Sequence, residues 1–203
     1  MKRLDYGVGI NDADYPVSRY ETVDGKCRQV WMCPFYQSWL NIFKRVYNKN
    51  VHGTYKDCSV DEQWHHFTRY KAWMESQKWQ GNELDKDILV QGNKVYSPET
   101  CVFVPQYVNK FLTDSGATRG VYPQGVYFHK ASGKFLAQCH DKKEKQQVYL
   151  GLFDTPDVAH GVWLEYKHSL SVSYSEELSA QGYDMRVVTA LKERFKAKEK
   201  ENK

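Results

Sequence analysis

No apolar run in these 203 residues approaches the roughly 20 needed to cross a bilayer, so no membrane partner is expected. No N-terminal stretch reads as a signal peptide. No two cysteines form a Cys-x-x-Cys pair. The five stand at Cys27, Cys33, Cys58, Cys101 and Cys139, an odd number at irregular spacings. This argues against a compact zinc knuckle and against a disulfide framework. Reduced thiols and an intracellular protein are the expectation, without structural zinc. Gly7-Val8-Gly9 lacks the strand–turn–helix setting of a phosphate loop, and no small-molecule cofactor is expected. Strong charge is also missing. A net charge of +4 does not mark a nucleic-acid binder by itself, so the distribution of the charges must be argued.

What the chain does hold is rings. Apolar residues make up 41% and aromatic ones 15%, including 15 Tyr and 6 Trp. Large side chains of this kind supply buried area where the chain is short. The first 18 residues show no period and read as an arm. Asp24-Gly25 between two alternating runs predicts a tight hairpin. Phe35, Trp39, Ile42, Phe43 and Val46 at helical spacing behind Pro34 predict a helix, and Asp61 heads a second one through Trp64, Phe67 and Met74. Tyr55 to Val60 is expected to add a short strand.

The stretch from Leu84 to Val90 predicts a strand, Gln91-Gly92-Asn93 a turn, Ser97 to Thr100 a loop, Cys101 to Val104 a second strand, and Pro105 onward a short helix. Residues 113–123, rich in Gly, Ser and Thr, read as a linker. A hairpin turning at Ser132-Gly133 follows. Phe135, Ala137 and Cys139 fall on one face and Lys134, Leu136, Gln138 and His140 on the other. Gln146 to Phe153 supplies a third strand. Thr155 as N-cap and Pro156 at the first helical position open a helix to Leu170 with an apolar stripe of Val158, Ala159, Val162, Trp163 and Tyr166. The tail begins as an amphipathic helix through Met185, Val188, Leu191 and Phe195.

Two stretches resemble known families. Gly125-Val126, Gly133-Lys134-Phe135, the run Leu150-Gly151-Leu152-Phe153-Asp154-Thr155-Pro156 and the helix after it are similar to an AP2 DNA-binding domain. Leu84-Asp85-Lys86-Asp87, Tyr96-Ser97-Pro98-Glu99-Thr100-Cys101 and Asn109 resemble the HNH-type, homing-endonuclease-like proteins of bacteriophages. The resemblance implies an α+β protein divided into an N-terminal arm and hairpin (1–33), a ββα-metal HNH-like nuclease module (34–113), a linker (114–121), a three-stranded antiparallel sheet with one helix of AP2 type (122–170), and a helical tail (171–203). It also implies a place in the cytoplasm of an infected host.

The chemistry implied is metal-dependent phosphodiester hydrolysis, with nicking as one form of it. Asp85 matches the family's metal ligand and Asn109 its ligand on the helix. Lys86 stands where active members carry the general-base histidine, and Thr100 where an asparagine is expected. Carboxylate and amide oxygens suit Mg²⁺ or Mn²⁺. Asp87, two residues from Asp85, shares its face on a regular strand and is a candidate second ligand. A lysine is a poor base at neutral pH, so Lys86 is expected to neutralise charge, with His52, His65 or His66 as substitute bases. The alternatives stay open: a solvated strand end, or a decayed nuclease unit in a protein that regulates without cutting.

The partner implied is double-stranded DNA. The sheet face opposite the helix would present Tyr127, His129, Lys130, Lys134, Gln138 and His140 to the major groove, with Gln138 suited to adenine. Lys142, Lys143 and Lys145 would hold phosphates.

Overall fold

Two tight turns, at Tyr6-Gly7 and Asp24-Gly25, organise the N-terminal region. Both residues of each have positive φ, 53° and 80° in the first and 52° and 72° in the second. This is the turn whose twist matches an antiparallel pair. The first joins β1 (Arg3–Asp5) to β2 (Gly9–Asn11), so a hairpin replaces the expected arm. The second joins β3 (Ser18–Val23) to β4 (Lys26–Met32), as its Asp-Gly pair predicts. The computed structural model describes residues 3–48, 53–113 and 120–196. Its contacts divide the chain between Phe103 and Val104 into two units.

In the first unit, α1 (Pro34–Tyr47) carries Pro34 at its start and buries Tyr36, Trp39, Ile42 and Phe43. Short β5 (Ser59–Val60) follows, then a 3-10 turn at Glu62–His65 capped by Asp61, whose side chain accepts from Gln63 N. Then comes α2 (Phe67–Glu75). The rings of the two helices make the core. Trp39 meets Phe43 at 4.7 Å between centroids, Phe67 meets Tyr36 edge-on at 5.1 Å, and Trp64 meets Tyr70 edge-on at 5.0 Å. The Trp39 indole donates to Trp64 O at 2.7 Å, which lets a fully buried Trp keep a satisfied N–H.

The β1–β2 hairpin belongs to this core. A Cβ at Gly9 would come within 2.7 Å of the Trp39 ring, and buried Asp5 accepts from Tyr36 OH at 2.6 Å. Asp12, just past β2, caps α2 from outside that helix. His66, which precedes α2, makes no side-chain cap, and Asp12 takes the bonds from Thr68 N (2.9 Å) and Thr68 Oγ1 (2.8 Å) instead. Its other neighbour is His66 Nδ1 at 3.0 Å. The remaining strands are short: β6 (Glu83–Asp85), β7 (Val95–Tyr96), which runs parallel to β5, and β8 (Val102–Val104), which pairs with β6. The expected strand to Val90 therefore ends at Asp85.

In the second unit, α3 (Gln106–Leu112) is followed by β9 (Val126–His129), β10 (Lys134–Asp141) and β11 (Gln146–Phe153). They form an antiparallel sheet in the order β11-β10-β9. Thr155 and Pro156 open α4 (Pro156–Ala180), where Thr155 Oγ1 accepts from Val158 N. This helix continues past Leu170 for ten more residues. α5 (Met185–Arg194) packs back on it through Val187, Val188 and Leu191, while Met185 is exposed. α3 lies with this unit, since Phe111 meets Tyr174 at 4.9 Å and Phe195 at 5.4 Å. Most of the expected linker, 114–119, lies outside the described residues.

Gly125 has φ +80°, and a Cβ there would overlap the Trp163 indole. Gly125→Ala is expected to destabilise the second unit by about 1–3 kcal/mol through overpacking, seen as a lower thermal midpoint. Asp12 gives a pH test. Burial works against its charge, but the hydrogen bonds from Thr68 and His66 prevail and hold its carboxyl below the usual range. A depressed acid contributes stability above its unfolded pKa, about 3.9, and loses it as pH falls through the folded value. Asp12→Ala should lower stability at pH 7 by about 0.5–2 kcal/mol and flatten the acid limb of a urea-midpoint-against-pH curve.

Candidate nucleic-acid interface and the Asp85–Asp87 turn

β10 alternates as its sequence predicts. Ala137 and Cys139 are buried and Phe135 half-buried on the side of α4, where Ala137 packs with Val126 and Ala159. Lys134, Leu136, Gln138 and His140 take the other side. Register carries that side across the sheet. Tyr127 stands opposite Leu136 and His129 opposite Lys134 on β9, while Leu152, Tyr149 and Gln147 on β11 stand opposite Leu136, Gln138 and His140. A register shift between Ala137 and Gln138 leaves Leu150 as the extra residue of β11 and lets it join the inner cluster. The outward face is open: Tyr127 is 53% and Tyr149 64% exposed. Tyr149 and Gln147 were not among the expected readers, although alternation within Gln146–Phe153 places them on the face of Gln138.

The basic residues lie around this face with different commitments. Lys130 and Lys145 are exposed in turns, and Lys142 is half-buried. Lys134 Nζ lies 3.0 Å from the exposed Asp154, a contact worth little in water. Lys143 is tied to Glu177 on α4 at 2.6 Å. Its loop is fastened below by Asp141, which accepts from Lys143 N, Glu144 N and Tyr174 OH. His129 Nδ1 is 2.8 Å from Ser132 Oγ across the hairpin turn.

The Asp85–Asp87 segment is built differently. Asp85 Oδ1 accepts from Asp87 N (2.8 Å) and Ile88 N (2.6 Å), which folds the chain into a turn directly after β6. The alternation that would place Asp87 beside Asp85 on one strand face is therefore absent. Burial raises the pKa of Asp85 above the usual aspartate value, against these two bonds. Lys86 is 7% exposed. Its ammonium donates to Asp87 Oδ1 (2.8 Å), Asp87 Oδ2 (2.7 Å) and Asn93 O (2.7 Å), which uses all three N–H groups. Asn93 completes the staple by donating to Lys86 O and Val95 O and accepting from Val95 N. Read from sequence, Asn93 was only a turn residue.

The Ser97–Thr100 loop closes on itself. Thr100 Oγ1 donates to Val95 O at 2.9 Å, and Thr100 N and Cys101 N donate to Ser97 Oγ and Ser97 O. Asp85 belongs to the first unit, and Asn109, on α3, to the second. His65 Nε2 lies 3.2 Å from Val60 O, His66 is held by Asp12, and His52 lies outside the described residues.

These donors do not fit a Mg²⁺ or Mn²⁺ centre as they stand. Both oxygens of Asp87 hold an ammonium and one oxygen of Asp85 holds two amides. Among the described residues no group of three or more His, Cys, Asp or Glu is arranged to hold a metal. No described helix is long and apolar enough to cross a membrane. Comparison with protein-family models, with curated proteins and with solved structures returned no match.

The staple makes opposite predictions for its two ends. Asp87→Ala leaves a buried ammonium with one carbonyl and should cost about 1–3 kcal/mol in chemical denaturation. Lys86→Met, an apolar replacement of similar length, should cost less than Asp87→Ala. The reverse order would mean that Lys86 is not the buried partner.

Proposed function

We propose that this chain binds double-stranded DNA through the outward face of the β9–β10–β11 sheet, and that the Asp85–Asp87 turn serves as scaffold. The observation that carries the reading is the open face itself. Two exposed tyrosines, glutamines and histidines occupy it, and lysines stand in the turns at both ends. Strands about 4.8 Å apart make a three-stranded layer about 10 Å across its backbone. A major groove about 12 Å wide accepts such a layer. Gln138 and Gln147 carry the paired donor and acceptor that match the adenine edge, and Lys130, Lys142 and Lys145 reach phosphates at the rim. The similarity of this stretch to AP2 domains points the same way, as does the phage, host-cytoplasmic setting that the second resemblance implies.

A second reading, a metal-dependent HNH-type endonuclease, rests on the ββα order of β6, β8 and α3 and on Asp85. It requires Asp87 or Asp85 to exchange its present partners for a cation. The saturated Lys86 favours the scaffold reading, in which the chain regulates or marks DNA without cutting it.

Duplexes selected from a random pool should be bound with a log–log salt slope of about −3, one unit per phosphate-contacting lysine. Lys142→Ala and Lys145→Ala should weaken all sequences alike. Gln138→Ala should relax preference at one position by about 1–3 kcal/mol. EDTA should change neither binding nor the integrity of supercoiled plasmid. Absence of binding at low salt would remove the proposal. Cleavage in Mg²⁺ or Mn²⁺ that disappears in Asp85→Ala would establish the nuclease instead.

A further inference from the structure

In the second unit β9 stops at Val126, while β10 runs on to Asp141 beside β11 alone. A cleft of about 670 Å³ opens there, between the sheet end and α4. It falls in the size range of small-molecule sites. Its described lining includes Lys110, Lys142, Lys167 and His140, and no carboxylate. Neither Lys110 nor Lys142 makes an ion pair among the described residues.

Lys167 is the unusual member. It is 5% exposed, and its ammonium donates to Phe111 O at 2.8 Å. It lies 3.5 Å from the centroid of the Phe111 ring, with the Phe195 and Trp163 rings at 5.2 and 5.9 Å. A buried lysine is normally matched to a carboxylate. Here a neutral carbonyl and aromatic faces do that work, and no carboxylate among the described residues lines the cleft. Burial pushes the Lys167 ammonium down to about 8; Lys142 adds to the fall, and Cys139 and Asp141 oppose it. The other lining groups are of a second kind. Tyr122 and Tyr127 supply flat rings, and Gln138 and Gln147 supply amides. Three of these, Tyr127, Gln138 and Gln147, also belong to the outward face, so the cleft is continuous with it.

We infer that this cleft binds a single nucleotide, with its phosphate drawn to Lys142, Lys110 and Lys167 and its base placed against the tyrosines and read by the glutamine amides. Two sources share that chemistry: a free nucleoside monophosphate, or a nucleotide turned out of a duplex lying on the sheet. The second source rests on the DNA-binding reading above, and the first does not. Extrusion costs a few kcal/mol, which stacking on aromatic rings and hydrogen bonds to the base edge offset.

The test uses the full chain and two probes. Deoxyadenosine 5′-monophosphate is titrated while Lys167 acetylation by acetic anhydride is followed by mass spectrometry, with inorganic phosphate as control. Lys167 is 5% exposed, so it should acetylate more slowly in the free protein than exposed Lys110, and that slow rate is the baseline for protection. The nucleotide should protect it saturably and at least tenfold more strongly than phosphate. Exposed Lys110→Ala and half-buried Lys142→Ala, checked for folding by circular dichroism, should each weaken protection about tenfold, the loss of one charge-assisted bond. A duplex carrying one 2-aminopurine forms the second arm. A fluorescence rise with Lys167 protection identifies the extruded source, even where the free nucleotide does not protect. Protection by the free nucleotide with no duplex binding would uphold the cleft and remove the DNA-binding reading. Duplex binding with neither protection nor fluorescence change would overturn the cleft and leave that reading intact. Equal protection by phosphate and nucleotide would also overturn it, since only an anion site would remain.

Discussion

Trp163 lies against Gly125 so closely that no side chain fits between them. The second unit depends on that contact. It fixes α4 to the end of β9 and commits Val126, Ala137 and Ala159 to the inside. Once those residues face inward, the two-residue period of β10 forces Leu136, Gln138 and His140 outward. Tyr149 and Gln147 follow through their register on β11. An open polar face is thus a consequence of packing on its far side. The sheet does not need a covering layer, because its apolar side is already used by one helix. The same helix bears Lys167, so one element both orients the sheet and floors the cleft.

Where the sequence carried a local physical signal, the element could be read from it. Asp24-Gly25 is the pair that left-handed turn geometry selects, and Pro34 and Thr155-Pro156 mark helix starts for stated steric reasons. Other features had no such signal. The β1–β2 hairpin is only three residues per strand, and its turn holds a tyrosine in the left-handed region, so neither period nor composition betrays it. α4 outruns its apolar stripe because its second half buries serines. Ser171 donates to Leu191 O and Ser175 to Val172 O. Small hydroxyls that satisfy themselves on backbone carbonyls pack as well as alanine, but a pattern of apolar letters does not count them.

The site residues divide along the same line. Parity alone located the outward face, since a strand with one buried side has only one register available. It failed at Asp85, where the apolar run Ile88-Leu89-Val90 resembles a strand. The carboxylate of Asp85 offers the Asp87 and Ile88 amides a nearer partner than any neighbouring strand. Asn93 was missed for a related reason. Its three bonds to Lys86 and Val95 join residues that become neighbours only after the turn exists.

The Asp-Lys-Asp arrangement also limits what this segment can become. An ammonium taken out of water needs partners for each N–H, and Lys86 has them only while Asp87 stays in place. A divalent cation at Asp87 would release Lys86 inside a protein wall with Asn93 O as its single remaining acceptor. Cation binding and loop opening would therefore be coupled, and affinity would fall by the free energy of breaking the staple. Asp85 faces a parallel constraint, since freeing Oδ1 would unfasten the turn that follows β6. Its Oδ2 is the one oxygen of the two carboxylates that accepts none of the described hydrogen bonds. A single oxygen holds a hard cation weakly unless several others join it. The charges that suggest a catalytic centre in sequence are, in the folded chain, engaged by one another at Lys86 and Asp87 and by backbone amides at Asp85.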